Sequence, residues 1–146
     1  MINSRKKISK IIYTAGVIVD KLYDKIFNYD AWPNKYVDHM TIQFGNLTEK
    51  PTYIGVEFDF IATHVVSDDK GVAWIGQPLD IEIASTMNTI GQRPHITLFT
   101  ANGVKPVYSN ELIEKTNARP LKEPVMVRMK AGMFVAYDDG ATGWEF

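Results

Sequence analysis

The chain has 146 residues, a length that suits one domain with its own hydrophobic core, so we expect a single domain over residues 1–146. The hydrophobic fraction of 45% and the charged fraction of 23% are ordinary for a globular protein, and the absence of cysteine excludes disulfides and thiolate metal sites. The net charge of −1 argues against a protein that grips long nucleic acid, which is usually basic, and suits a small nucleotide or a single RNA end.

An apolar run over residues 11–19 follows a basic N-terminal stretch and loosely mimics a signal peptide. No small-residue cleavage site follows it, and it is far shorter than the roughly 20 residues of a membrane helix. We therefore expect a buried strand here, in a soluble protein that does not contact membranes. Asp20 then suits the N-cap of a helix whose apolar side holds Leu22, Tyr23, Ile26 and Phe27.

The pattern after that helix favours strands separated by turns. Residues 38–44 and 93–99 are predicted as two strands of similar composition. The remaining predictions are a β-prone stretch over 53–66, a short strand over 72–75, a strand over 79–84, a polar loop over 85–92, a short helix around Glu111, a connector between Pro120 and Pro124, two last strands over 125–129 and 133–137, and a glycine-rich tail over 138–146. With one helix in each half, this order predicts two similar α+β lobes around a cleft.

Both of the similar strands carry a His-x-Thr pattern. His39 and Thr41 lie in the first, and His95 and Thr97 lie in the second, 56 residues further on. Each histidine should share a face with its threonine, because side chains two residues apart on a strand point the same way. The apolar residues between them should point toward a core: Met40, Ile42 and Phe44 in the first strand, and Ile96 and Leu98 in the second.

Two imidazoles that meet across the cleft suit phosphodiester cleavage without a metal. A histidine has an ordinary pKa of about 6.5, so one ring can be neutral while the other is charged near neutral pH. One would take a proton from the attacking oxygen, and the other would give one to the leaving oxygen. Thr41 and Thr97 would donate hydrogen bonds to the non-bridging oxygens. The attacking group is either water on a cyclic phosphate or a ribose 2′-hydroxyl on an internal linkage.

Two other interpretations compete with this one. A single His-x-Thr strand is more often plain packing, because histidine is of intermediate burial and often merely fills a site. The repeat of the pattern favours a functional pair instead. A metal site would need further ligands, and only His64 and scattered carboxylates remain, without a ligand spacing. We therefore predict no metal and no cofactor, and a surface or strand-end position for His64.

Paired His-x-Thr strands are the signature of the two-histidine phosphoesterase superfamily, which the chain resembles over most of its length. The stretch from Arg93 to Leu112 is similar to the phosphodiesterase domains of fungal-type tRNA ligases. The small size, the strand with Tyr13 and the aromatic end of the chain resemble phage anti-CBASS phosphodiesterases, which destroy immune cyclic oligonucleotides.

This resemblance implies a bilobal α+β fold in which two antiparallel sheets line a central groove, with helices outside. It also implies metal-independent catalysis, with His39 and His95 as base and acid in either order, and with Thr41 and Thr97 holding the phosphate. The expected partner is a cyclic dinucleotide or trinucleotide, bound by a monomer. The expected location is the cytoplasm, which is that of the host cell if a phage encodes the protein.

Aromatic side chains around the groove would select the substrate, since stacking on a base contributes about 1–3 kcal/mol. The candidates are Tyr13 on the first strand, Trp74 at the end of a hairpin, and Trp144 on a flexible tail that could close as a lid. Core packing is the alternative for Tyr13 and Trp74, and a C-terminal anchor is the alternative for Trp144. Lys105 would contact phosphate, or would be a solvated surface charge.

Three functions remain open on these grounds. The first is an enzyme that linearises cyclic di- or trinucleotide messengers at 3′–5′ linkages for a phage. The second is an RNA-end enzyme that opens 2′,3′-cyclic phosphates. The third is a sponge, a module that binds cyclic nucleotides without cleaving them. The first two predict products, and the third predicts binding that survives replacement of His39 and His95 by alanine.

Overall fold

A computed structural model describes residues 6–20 and 31–146 of the chain. Within these residues the fold is mostly antiparallel sheet with two short helices, which confirms the predicted α+β class. The strands are β1 (Ile8–Ile18), β2 (Asn34–Lys35), β3 (His39–Leu47), β4 (Glu57–Ser67), β5 (Gly71–Pro78), β6 (His95–Thr100), β7 (Arg119–Tyr137) and β8 (Thr142–Glu145). The helices are α1 (Ile81–Thr89) and α2 (Tyr108–Lys115). The helix predicted after Asp20 lies outside the described residues.

The described strands form one continuous sheet in the order β2-β6-β5-β4-β7-β1-β3, and β8 pairs with β7 off this path. The sheet curls into a half-barrel, so that β3 at one end of the order comes into contact with β6 near the other end. The predicted separation into two sheets and two lobes is not confirmed, because the strands of both halves of the chain join in this one sheet. The curl, rather than a cleft between lobes, brings the two His-x-Thr strands together.

Helix α1 replaces the strand predicted over 79–84 and the loop predicted over 85–92. The Asp80 side chain accepts a hydrogen bond of 2.9 Å from the backbone N–H of Ile83 and caps the helix. Ile83 and Met87, four residues apart, are the buried residues of its inner face. The alternation of Asp80 and Glu82 with apolar residues suggested a strand, but these carboxylates occupy the cap and the first turn.

Strand β7 replaces the connector and the two separate strands predicted over 120–137. Its first part pairs with β4 and its second part pairs with β1, so the single long strand joins the two halves of the sheet. The register along β4 shifts between Ala62, opposite Val125, and His64, opposite Pro120. The proline-rich stretch therefore lies at a bulge, where a missing backbone N–H is tolerated and the strand continues.

The C-terminal residues also differ from the prediction of a flexible tail. Thr142–Glu145 forms β8, which pairs with β7 so that Trp144 lies opposite Phe134. Backbone pairing therefore holds the indole in the sheet, and the lid predicted on a flexible tail is wrong.

The main core lies on one face of the sheet. It contains Met40 and Ile42 of β3, Ile96 and Leu98 of β6, and the inward residues of α1. A smaller cluster on the other face packs Leu112 and Ile113 of α2 against Val66, Ala73 and Ile75. Helix α2 therefore rests on the face of β5 and β6 that is opposite to the main core.

Candidate active site

The segment between β2 and β3 brings the two motifs together. After β2 pairs with β6, the backbone N–H of Tyr36 donates to the carbonyl of Leu98 at 2.9 Å, and that of Val37 donates to the carbonyl of Thr97 at 3.1 Å. The chain then enters β3 at His39, two residues after Val37. The first histidine is thus placed at the side of the strand that carries the second.

All four motif side chains lie on the face opposite to the main core. Met40, Ile42 and Ile96 are fully buried in that core, while His39, Thr41, His95 and Thr97 are only half-buried. We call these four residues the histidine face. The alternation that the sequence predicts for the start of β3 and for β6 is confirmed by this burial.

His39 has an acidic partner. Its Nδ1 lies 2.7 Å from Oδ1 of Asp38, which is exposed. Because a carboxylate only accepts, this contact places the proton on Nδ1 in either charge state, and the protonated ring forms an ion pair with Asp38. The remaining nitrogen, Nε2, is the one available to a substrate.

His95 has a neutral partner instead. Its Nδ1 donates to the backbone carbonyl of Arg93 at 2.8 Å, so in the neutral ring Nε2 carries the lone pair. Burial lowers the pKa of His95 below its ordinary value, and the positive charges of His39 and Arg93 lower it further, while the bond to the carbonyl opposes the shift. The charge of His39 therefore acts on His95, and His95 favours the neutral form.

The two threonines also differ. The hydroxyl of Thr97 lies 2.8 Å from that of Ser109, a residue of α2 with 3% exposure, and 3.5 Å from the carbonyl of Pro106. Thr41 has no such hydrogen-bond partner among the described residues. Ser109 was not predicted from the sequence, because nothing in an isolated serine of a short helix signals which strand the helix will cover.

An aromatic cluster borders His39. The ring of Tyr13 lies 5.8 Å from the imidazole of His39 and 5.7 Å from the indole of Trp144, whose ring is 6.1 Å from the same imidazole. Phe134 packs against both of these neighbours, at 5.4 Å from Tyr13 and 5.3 Å from Trp144. Two of the predicted substrate contacts, Tyr13 and Trp144, thus lie beside a predicted catalytic residue.

Phe44 joins this cluster instead of the core for which it was predicted. The register between β1 and β3 shifts between the pairs Thr14–Gln43 and Ala15–Thr41, which is a β-bulge. The shift turns the following side chains over, so the ring of Phe44 stacks on Tyr13 at 5.7 Å and is 71% exposed. A bulge of this kind leaves no mark in the hydrophobic pattern that the sequence prediction used.

Trp74 is not brought to the histidines. In the pairing of β5 with β6 it lies opposite Ile96, while Ile75 lies opposite His95. Directly paired residues share a face, so Trp74 points to the main core, where it is 5% exposed. It also lines a cavity of about 880 Å³ with Leu98 and Phe99, and neither histidine of the motifs takes part.

The remaining candidates lie at the margins. Lys105 is exposed in the loop between β6 and α2, one residue before Pro106. His64 lies within β4, with its Nδ1 2.8 Å from the hydroxyl of Thr63. Across residues 6–20 and 31–146, no three His, Asp or Glu side chains stand close enough to hold a metal ion. Neither helix in this part of the chain is long and apolar enough to cross a membrane.

A curled antiparallel sheet that brings two His-x-Thr strands into contact agrees with the two-histidine phosphoesterase class. The model of one family, described as the fungal tRNA ligase phosphodiesterase domain, matches residues 24–129, which is well over half of the chain. The chain therefore belongs to this family of phosphodiesterase domains and carries the corresponding activity class, hydrolysis of phosphoric diesters. No curated protein and no solved structure matches it significantly.

Proposed function

We propose that this protein is a metal-independent phosphodiesterase that opens 2′,3′-cyclic phosphates on nucleotides or RNA ends. The observation that carries the proposal is the pairing of two differently supported imidazoles on one face, in a chain of this phosphodiesterase family. The chemistry needs one group that accepts a proton and one that donates a proton, at opposite sides of the same phosphorus atom.

We assign the base to His95 and the acid to His39. The bond from Nδ1 to the Arg93 carbonyl leaves the lone pair of Nε2 on a neutral His95, and burial favours that neutral state. His39 is held by a carboxylate that would form an ion pair with its protonated form. The two states support each other, since a charged His39 lowers the pKa of His95.

The proposed reaction is a single displacement. Water attacks phosphorus, a new P–O bond forms, and the proton of the water passes to Nε2 of His95. The bond from phosphorus to one ribose oxygen breaks, and that oxygen takes a proton from Nε2 of His39. Thr41 and Thr97 donate hydrogen bonds to the non-bridging oxygens, where charge builds up. Proton exchange with solvent then restores the neutral His95 and the charged His39.

A second substrate class is favoured by the aromatic cluster. Tyr13 and Trp144, whose rings lie beside His39, and Phe134, which packs against both, lie outside residues 24–129, so most of this cluster comes from parts of the chain that the family match does not include. Such rings offer stacking surfaces to bases. They support cleavage of 3′–5′ linkages in a cyclic di- or trinucleotide, with the 2′-hydroxyl as attacking group, as a phage would need to remove an immune messenger of CBASS.

The test compares the two substrates directly. The protein is incubated in EDTA with 2′,3′-cyclic CMP and, separately, with 3′,3′-cyclic GMP-AMP, and products are resolved by chromatography. Turnover of the first compound supports the main proposal, and turnover of the second alone transfers it to the second substrate class. Binding of either compound without any product, unchanged in the His39→Ala and His95→Ala variants, would instead identify a nucleotide sponge.

A further inference from the structure

Ser109 is a buried hydroxyl whose hydrogen-bond partner is a motif residue. It is one of the three buried polar residues among those that the structure describes, together with Thr14 and Thr100. Its Oγ lies 2.8 Å from Oγ1 of Thr97. A buried hydroxyl needs a hydrogen-bond partner, and the partner of Ser109 belongs to the histidine face.

Proton counting gives this contact a direction. A hydroxyl has one proton to donate and two lone pairs to accept with. If Thr97 donated to Ser109, it would have no proton left for a phosphate oxygen. If Ser109 donates to Thr97, the single proton of Thr97 stays available, because its other contact, the Pro106 carbonyl at 3.5 Å, is at the outer limit of a hydrogen bond.

The fold holds Ser109 firmly in this place. Tyr108 beside it donates its phenol to Oδ2 of Asp68 at 2.5 Å, and the ammonium of Lys115 lies 3.4 Å from the same carboxylate. Leu112 and Ile113 on the inner side of α2 are buried against β4 and β5. The turn between β4 and β5 thus fixes α2 at both ends, and α2 fixes the serine.

We propose that Ser109 is a positioning residue that donates its proton to Thr97 and so directs the hydroxyl of Thr97 toward a non-bridging oxygen of the substrate. A hydroxyl that accepts a hydrogen bond becomes a better donor itself, and Thr97 gains this support while Thr41 does not. This inference rests on the proposed function, because it assigns a role in holding the phosphate of that reaction.

A double-mutant cycle on Ser109 and Thr97 tests the proposal. Thr97→Ala should lower kcat for 2′,3′-cyclic CMP by about 100-fold, in the range found for loss of one donor to a developing oxyanion. Ser109→Ala should lower kcat by about tenfold, as expected for a weakened hydrogen bond. In the Thr97→Ala background, Ser109→Ala should have no further effect on kcat, because the hydroxyl through which it acts is gone.

The matched control is Thr14→Val, since Thr14 is buried and its hydroxyl also lies 2.8 Å from another hydroxyl, that of Tyr53. It should lower the melting temperature about as much as Ser109→Ala and leave kcat unchanged. The proposal is overturned if Ser109→Ala leaves kcat unchanged, or if its effect in the Thr97→Ala background is as large as in the wild type.

The same cycle is measured on the Kd for 3′-CMP by calorimetry, so that the result does not depend on turnover. If the wild type binds 3′-CMP but does not turn over the cyclic nucleotide, the proposed function fails, while a coupling between Ser109 and Thr97 in Kd still supports the positioning role. The absence of that coupling overturns the role. A wild type that neither binds nor hydrolyses these compounds overturns both.

Discussion

Strands β3 and β6 carry the same motif in different surroundings. On β3, His39 has a carboxylate partner in Asp38 and an aromatic border, and Thr41 has no described hydrogen bond to its hydroxyl. On β6, His95 has a carbonyl partner, and Thr97 is held by a serine from α2. The difference teaches that two copies of one motif can have unlike hydrogen-bond partners. These partners support the proposed assignment of the acid to β3 and the base to β6.

The largest effect expected is from loss of either imidazole. His39→Ala and His95→Ala should each lower kcat/KM by about 10²–10⁴-fold, because each removes one step of acid–base catalysis. Initial rates on 2′,3′-cyclic CMP measure this. His64→Ala removes the third histidine of the chain and serves as the control with unchanged rate. A large loss in only one of the two motif variants would contradict the division of roles between β3 and β6.

The next largest effect is expected from loss of an aromatic ring of the cluster beside β3, and it should appear in KM. Phe44→Ala should raise KM for a nucleotide substrate about tenfold, since stacking on a base contributes about 1–3 kcal/mol. The melting temperature should stay the same, because the ring is 71% exposed. Ile81→Ala, which truncates an 88% exposed residue of α1, is the matched control. An equal KM in wild type and Phe44→Ala would show that this ring does not stack on the substrate.

Loss of the Asp38 carboxylate should have a smaller effect on kcat. Asp38→Asn should lower kcat by at most about fivefold, because an exposed ion pair is typically worth 0.2–1 kcal/mol. Asp139→Asn, which removes another exposed carboxylate that pairs with Lys6 at 3.2 Å, should leave kcat unchanged. A loss as large as that of His39→Ala would show that Asp38 does more than hold the ring, and would sharpen the contrast with β6.

The smallest effect is a displacement of the pH profile. In the proposed mechanism, protonation of His95 removes the base, so kcat/KM should fall as the pH drops through the pKa of this residue. Since burial, His39 and Arg93 lower that pKa, the acidic limb should lie below the ordinary histidine value of about 6.5. Arg93→Gln removes one of the lowering charges and keeps the backbone carbonyl, so it should move the limb to higher pH. An acidic limb above the ordinary value would speak against His95 as the base.

Local sequence patterns predicted the strands and the helix whose formation depends mainly on neighbouring residues in the chain. The alternation of polar and apolar residues identified both motif strands, and the apolar run over residues 11–19 identified the first strand. The short helix predicted around Glu111 is α2. The same patterns gave wrong predictions where the local sequence suits two different structures equally well. Residues 79–92 alternate like a strand, yet the side chain of Asp80 caps a helix there. The prolines near the start of β7 resemble a connector, yet they lie at a bulge of a continuing strand.

By itself, the sequence showed the paired His-x-Thr motifs, and their resemblance to a known superfamily indicated the class of protein. It also showed which side chains of each motif share a face, because a strand repeats every two residues. Only the tertiary structure decided which partners those residues have. The curl of the sheet brings β3 to β6, a bulge turns Phe44 toward Tyr13, and the packing of α2 carries Ser109 to Thr97. Two of these contacts join strands or helices that are separate in the chain, and the third depends on a β-bulge. Long-range contacts and bulges leave no signal in the local pattern of polar and apolar residues. Trp74 shows the same limit, since its place opposite Ile96 put it in the core.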